Sequence, residues 1–273
     1  EKLDGKTDTI KLIIENQHYL SKLINSSKKP LIIIGQSALN SKSGKYIFES
    51  IKSYLKRNKK INSEWNSLNI ISENASTVGS LDLGVFNTID GSNETLKKLE
   101  DHKFEIVYLL GQDSLQFKKG NEFIIYQGSH GDKGAEIADI ILPGASYTEQ
   151  DGYYTNLEGK LQKAYKATYP PGDAKEDWEI LNDLAESINH RKLFNDKDEL
   201  LSRMLNNLKL FKENNYSKNF LEKNDLDFIS EEIKVNNIDY YYSNAIARSS
   251  KTMFNCRNDK ISSLSTGSTG TEG

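Results

Sequence analysis

Short apolar runs rich in β-branched residues, each stopped by a glycine, limit what this chain can fold into more than any other feature. Leu31-Ile32-Ile33-Ile34 runs into Gly35, Glu105-Ile106-Val107-Tyr108-Leu109-Leu110 into Gly111, and Phe123-Ile124-Ile125-Tyr126 ends at Gly128. Ile137 to Leu142 stops at Pro143-Gly144, and Leu68 to Ser72 is a further candidate. Runs that are apolar throughout, rather than alternating, suit strands buried on both faces. Helical spacings lie between them: Tyr46, Ile47, Ile51, Tyr54 and Leu55 follow the first run, and Lys97-Lys98-Leu99 closes a helix before the second strand pair. The alternation predicts an α/β fold, a parallel sheet with helices on both faces. In such sheets ligands bind beyond the carboxyl ends of the strands, an edge formed here by Gly35, Gly111 and Gly128.

The remaining elements follow from spacing and breakers. Leu12, Ile13, Ile14, Leu20, Leu23 and Ile24 predict one helix within Thr9 to Ser27. Five glycines, Gly128, Gly131, Gly134, Gly144 and Gly152, make the stretch from Tyr126 to Gln162 mostly loop. Tyr153 to Asn156 and Leu161 to Thr168 read as a ragged hairpin about Leu157-Glu158-Gly159. After Pro170-Pro171-Gly172, Asp173 with Glu176 starts a helix as N-cap and acidic first turn, and Trp178, Leu181, Leu184, Ala185 and Ile188 make its core-facing stripe. The Asn- and Lys-rich stretch from Arg191 to Asn237 predicts packed but peripheral helices such as Leu200 to Phe211. Residues 1–190 therefore form part of an α/β domain and 191–239 a peripheral helical segment. Residues 240–258, with Tyr240-Tyr241-Tyr242, Ile246 and Met253, read as an interface tail. Residues 259–273, small and polar from Ser262 onward, read as a disordered or partner-tethered end.

Composition removes several function classes. Thirty-six basic against 39 acidic residues leave a net charge of -3, with no field strong enough for nucleic acid or an anionic membrane as main partner. The one cysteine, Cys256, excludes an internal disulfide and cannot alone hold zinc or an iron-sulfur cluster. Mean hydropathy is -0.64 and no window approaches a membrane-spanning apolar run. Neither a secretory leader nor an Arg-rich presequence opens the chain, so the N-terminus reads as processed or as never having carried one.

Candidate chemistry is sparse. At Gly35-Gln36-Ser37 the second glycine of a dinucleotide fingerprint is replaced by Ser37. His130 beside Asp132 suits an acid-base pair, or a loop histidine bonding a neighbouring carbonyl. Glu149, Asp151 and Glu158 suit a carboxylate site for Mg²⁺ or acid-base work, or turn caps paired with Lys160 and Lys163, with Asn156 and Asp151 in turn roles. His18, His102 and His190 lie in no metal-ligand spacing. The residues thus predict no catalytic, cofactor-binding or metal-binding site.

Read in order, GD-GA-ADIILPGASYTE-DG-Y-N-EGK-Q across Gly131 to Gln162 resembles the C-terminal signature of the molybdopterin-oxidoreductase superfamily. It is closer still to the version in the large, seventy-five kilodalton iron-sulfur subunit of respiratory complex I, NADH:ubiquinone oxidoreductase. ASTVGSLDLG over Ala75 to Gly84, PPGDAKEDWEIL over Pro170 to Leu181, and the tail from Tyr240 to Cys256 resemble that subunit in the same order. The resemblance implies the C-terminal half of a molybdopterin-enzyme-like domain, a partial one, with a non-catalytic, structural role in the peripheral arm of complex I. It implies a split subunit whose N-terminal iron-sulfur half lies on a separate polypeptide that carries the clusters, with no cofactor on this chain. Neighbouring peripheral-arm subunits would be further partners, on the matrix side of the mitochondrial inner membrane, with no direct membrane span. Lys160 stands where the motif usually has Arg, and Lys lacks the planar fork that grips phosphates or pterin edges. Two alternatives are a cofactor-bearing half of a true molybdopterin oxidoreductase, which needs pterin and metal ligands, and a nucleotide-binding α/β module, which needs a phosphate loop.

Overall fold

A computed structural model describes residues 2–85, 92–112, 115, 117–131, 133–208, 226–235 and 239–265. In chain order the elements are α1 (Thr7–Ile14), α2 (Tyr19–Ser26), β1 (Ile32–Gly35), α3 (Gln36–Leu39), α4 (Gly44–Arg57), β2 (Leu68–Ile71), α5 (Thr77–Leu83) and α6 (Ser92–Glu100). There follow β3 (Ile106–Leu110), β4 (Phe123–Gly128), α7 (Lys133–Ile137), β5 (Ile140–Pro143), β6 (Gly152–Thr155), β7 (Leu161–Ala164), α8 (Asp177–Asn189) and α9 (Lys197–Asn207). A 3₁₀ turn (Tyr240–Tyr242), α10 (Ala245–Ser249) and α11 (Lys251–Ser265) complete the order. The α/β class with parallel strands is as the sequence predicts, but hydrogen bonds join the strands into two parallel sheets, β1-β2 and β3-β4-β5, besides the hairpin β6-β7. Gly35 thus ends a strand of one sheet, and Gly111 and Gly128 end strands of the other. The chain divides into two compact units within the stretch that the sequence reads as one part, residues 1–190. Described residues of Glu1–Asp82, Thr155–Leu161 and Leu208–Asn237 form the first, and those of Leu83–Tyr154, Gln162–Asn207 and Ile238–Gly273 the second. An apolar run specifies a buried strand but not which neighbour it pairs with, so periodicity could not locate this division.

In the first unit, Ile47, Ile51, Tyr54 and Leu55 recur at helical intervals on α4 and bury against Ile34 of β1 and Ile14 of α1. The Tyr54 hydroxyl donates to Asn25 Oδ1 at 3.0 Å, so its polar end is satisfied inside the core. The single helix predicted over Thr9 to Ser27 is two. Asn16 takes a left-handed conformation, φ 61°, and Gln17 N–H reaches back to the Leu12 carbonyl at 2.8 Å, closing α1. His18 then caps α2, its Nδ1 accepting from Leu20 N–H at 3.3 Å.

Within the stretch predicted to hold peripheral helices, residues 226–235 instead form an irregular strap. The Thr7 hydroxyl donates to the Ile229 carbonyl at 2.8 Å, and the Ser43 hydroxyl donates to the same carbonyl at 2.8 Å. Glu231 N–H returns to Thr7 Oγ1 at 2.9 Å, and Phe228 packs edge-on against Tyr46. Thr7 and Ser43 are fully buried, so the strap satisfies groups that would otherwise be stranded at two helix starts.

In the second unit, Leu109, Ile124 and Tyr126 share one sheet face and pack with Val107, Ala135, Ile137 and Ala138. The β5 strand starts at Ile140, later than the predicted Ile137, because Lys133–Ile137 form α7. Nor are the strands covered on both faces: Ile33, Ile106, Ile140 and Ile141 remain 52%, 64%, 45% and 55% exposed. Helix α9 ends at Asn207, short of the predicted Phe211, which lies outside the described residues. Helix α11 continues to Ser265, into the end predicted to lack order, and residues 266–273 lie outside the description. Replacing Leu55, fully buried in the first core, by Ala is expected to cost about 2–5 kcal/mol. Native-state hydrogen exchange of the α4 amides reads this as lost protection, and unchanged protection would contradict the packing.

Candidate functional site

The carboxyl ends of β3 and β4 meet the start of α8 in a half-buried polar cluster of the second unit. Gln127 on β4 is fully buried, and its Nε2 donates to Asp177 Oδ1 at 2.8 Å. Its Oε1 accepts from the Tyr108 hydroxyl at 2.5 Å. Gln150 Nε2 reaches Asp177 Oδ2 at 3.2 Å and the Ala145 carbonyl at 3.2 Å. Burial, then the charge of Asp177, pushes the Tyr108 phenol above its ordinary value, which keeps it a donor. Gly144 leaves room for this cluster, since a Cβ there would stand 2.8 Å from Asp177 Oδ1.

Asp177 opens α8, where the free backbone N–H groups favour a carboxylate. The cap is Glu176, in a capping box with Glu179, and not Asp173. The helix starts one turn later than the D-x-x-E reading because Glu176 and Glu179 supply the same spacing. Of the predicted stripe, Trp178, Leu181, Leu184 and Ala185 are half-buried and Ile188 is exposed, while Ile180 and Asn182 are the buried residues of α8.

A charged knot lies beside the cluster. Asp151 Oδ1 accepts from Lys166 N–H at 2.9 Å, and its other oxygen is 3.6 Å from Lys163 and 3.8 Å from Lys197. Glu176 pairs with Lys197 and accepts from Trp178 Nε1 at 3.0 Å. The Lys166 amide first, then the charges of Lys163 and Lys197, hold the Asp151 carboxyl below its ordinary range.

The other predicted candidates are dispersed. Glu149 Oε2 caps Ser146 N–H at 2.9 Å, and Asn156 Oδ1 accepts from the amides of Glu158 at 3.0 Å and Lys160 at 2.9 Å. Glu149 and Asn156 thus make the predicted turn bonds, while Lys163 and Lys197 flank Asp151. His130 Nδ1 sits 3.0 Å from Ser129 Oγ instead of bonding a carbonyl, and Asp132 lies outside the described residues. His18 caps a helix, His190 closes α8 at φ 54°, and His102 Nδ1 lies 3.3 Å from Glu122 Oε2. Among the described residues no three His, Cys, Asp or Glu side chains could hold a metal ion. Sequence reasoning missed Tyr108, Gln127, Gln150 and Asp177; Gln127 carried a signal, as an amide closing an otherwise apolar strand.

Gln127, Gln150, Tyr108 and Asp177 spend their polar atoms on one another and the space beside Gly144 is taken by the Asp177 carboxylate, so this cluster does not itself fit a pterin.

The sequence profile described as Molybdopterin oxidoreductase matches residues 1–187. The chain belongs to the molybdopterin oxidoreductase family. Among its relatives in that family, it is 40% identical over 266 residues to the NADH-ubiquinone oxidoreductase 75 kDa subunit of Reclinomonas americana, covering 94% of this chain and 38% of that one. It is 38% identical over 264 residues to an NADH-quinone oxidoreductase subunit of Rickettsia bellii, covering 93% and 37%. The mitochondrial NADH-ubiquinone oxidoreductase 78 kDa subunit of Candida albicans is 35% identical over 261 residues, with 88% and 34% covered. The chain thus spans a little over a third of the length of these curated relatives. Among the described residues no helix is long and apolar enough to cross a membrane.

Asp177→Ala removes the Oδ1 acceptor of the Gln127 amide, leaving it only the Asp177 carbonyl at 3.3 Å, and is expected to cost about 1 kcal/mol, more than Asp177→Asn, in urea melts of the two variants. Equal losses would show that the side-chain acceptor adds nothing to the one the Asp177 carbonyl supplies. Because the Asp151 pKa is depressed in the fold, its stabilisation is present above the ordinary value of 3.8 and lost as pH falls below it. Asp151→Asn should therefore lower Tm at neutral pH and flatten the acid-side fall; parallel curves would refute this linkage.

Proposed function

We propose that this chain is a structural, non-catalytic part of the peripheral-arm iron-sulfur subunit of respiratory complex I. Its role is to support electron transfer from NADH to ubiquinone by cofactors held elsewhere, with the iron-sulfur clusters on a separate polypeptide bearing the N-terminal half. The assembly lies at the matrix side of the mitochondrial inner membrane, with other peripheral-arm subunits as neighbours. The observation that carries this reading is the 40% identity to the 75 kDa subunit over 94% of the chain. The closed cluster around Gln127 supports the non-catalytic part, because a site whose donors and acceptors are already paired offers a substrate nothing to bind. The exposed isoleucines of β1, β3 and β5 support an assembled role, since apolar strand surface is a liability in a free chain.

The test isolates complex I from cells carrying an epitope-tagged copy of the chain. The tag is expected to travel with NADH dehydrogenase activity on a native gel, together with a second polypeptide carrying cysteine-rich cluster motifs. Metal analysis of the separated chain should show no stoichiometric molybdenum, tungsten or iron. A tag that migrates apart from the complex, or a stoichiometric metal on the chain, overturns the proposal.

A further inference from the structure

The two edges of the β3-β4-β5 sheet end differently. On the β5 side the carboxyl end is met from within the chain: Ala145 N–H donates to the Lys175 carbonyl at 2.8 Å, and Lys175 N–H to the Pro143 carbonyl at 3.2 Å. On the other side, among the described residues, β3 is bonded to no strand but β4. The Glu105 carbonyl accepts from Phe123 N–H at 2.8 Å, and Gly111 N–H donates to the Gln127 carbonyl at 2.7 Å. Residues 105, 107, 109 and 111 therefore turn their backbone groups toward β4. Ile106, Tyr108 and Leu110 turn theirs outward, and no described residue hydrogen-bonds to those N–H and C=O groups.

Sheet edges are kept from pairing by a charge, a proline, a bulge or a very short strand. Here β3 has none of these. Ile106-Val107-Tyr108-Leu109-Leu110 is uncharged, and its register runs unbroken from Ile106 opposite Phe123 to Leu110 opposite Gln127. Ile106 and Leu110 are exposed beside the open backbone groups. By contrast β5 ends in Pro143, and β1 follows Lys28-Lys29-Pro30. What meets every outward group of such an edge at once is another strand.

Length narrows where that strand comes from. All of β3, β4 and β5 lies inside residues 1–187 matched by the family profile, yet the chain spans 38% of the Reclinomonas americana subunit. The sheet has three strands, whereas sheets of folded domains commonly have about four to six. Resting on the complex I reading above, we infer that the outer edge of β3 is completed by an apolar β-strand from the remaining part of the iron-sulfur subunit. That strand pairs with the backbone of Ile106, Tyr108 and Leu110 and sets apolar side chains beside Ile106 and Leu110.

The experiment uses the assembled complex from cells carrying the tagged chain. Residue-resolved hydrogen exchange should find the amides of Ile106, Tyr108 and Leu110 slowed at least about a hundredfold against unprotected amides, as those of Val107 and Leu109 are. Free exchange at the three outward amides beside protection at the two inward ones overturns the inference, since an edge covered without strand pairing leaves that alternation. Ile106→Pro removes an outward donor at the first residue of the strand, where an edge tolerates proline, and Ile106→Lys places a charge on the edge. Each should lower co-purification with the cluster-bearing polypeptide about tenfold with circular dichroism unchanged, whereas Val107→Pro, which removes a donor to β4, should disrupt the sheet itself. A photo-crosslinking residue in place of Ile106 should join the chain to the remaining part of the subunit. A link to a second copy of this chain, or to a different subunit, overturns the inference in favour of that partner. Ile106 variants that enter the complex as wild type does overturn this inference alone. A wild-type chain that never enters the complex overturns the functional reading and this one together.

Discussion

The bond between Gln127 and Asp177 is the contact on which the second unit depends. A fully buried amide in a strand is costly unless both its ends are met, and here Tyr108 meets the oxygen while Asp177 meets the nitrogen. Because Asp177 is the first residue of α8, the same bond fixes where that helix begins over the β3-β4-β5 sheet. Glu176, one residue earlier, caps the helix and pairs with Lys197 at the start of α9. Gly144 is constrained by this contact, not by its own backbone: its φ is not in the left-handed region, and what forbids a side chain there is the carboxylate. One polar contact thereby sets the positions of a strand end, a helix start and a loop.

The same contact bears on function. The crevice beyond the carboxyl ends of parallel strands is where ligands bind in folds of this kind, because backbone groups and helix starts converge there. In this chain the convergence remains but is answered from within, by a carboxylate at the helix start and by two glutamines. Filling a crevice with hydrogen-bonded side chains exchanges binding capacity for rigidity.

Much of the fold was legible in the sequence where one physical signal dominates. The runs before Gly111 and Gly128 are strands because β-branched residues without polar interruption suit little else, and α4 was readable from the spacing of Ile47, Ile51, Tyr54 and Leu55. The hairpin about Gly159, where φ is 79°, followed from turn chemistry. What was not legible depends on partners distant in sequence. Asn16 ends α1 in a stretch whose apolar spacing continues through it, and nothing local says that the residue turns left-handed. The strap at Ile229 and Glu231 is bound by Thr7 and Ser43, more than 180 residues away in sequence, and reads by itself as polar filler. Of the carboxylates that local reasoning singled out, Glu149 and Glu158 are turn residues and Asp151 pairs with Lys163 as expected, while Asp177 was hidden inside a helix start. Its importance is set by Gln127, fifty residues earlier.

Part of the apolar surface that remains is contiguous. The face of the β3-β4-β5 sheet opposite Leu109, Ile124 and Tyr126 carries the Gln127 cluster at one end, and at the other Ile106 beside Phe123, with Ile140 beside Ile125 one strand over. Register places Ile106 next to Phe123 and Ile125 next to Ile140, so the exposed side chains form one patch across three strands. The end at Gln127 is hydrogen-bonded through Tyr108 and Asp177, although Leu110 beside it is itself 48% exposed. The hydrogen bonds that join the three strands thus fix the spacing of these side chains, and no contact from outside the sheet is needed to set it.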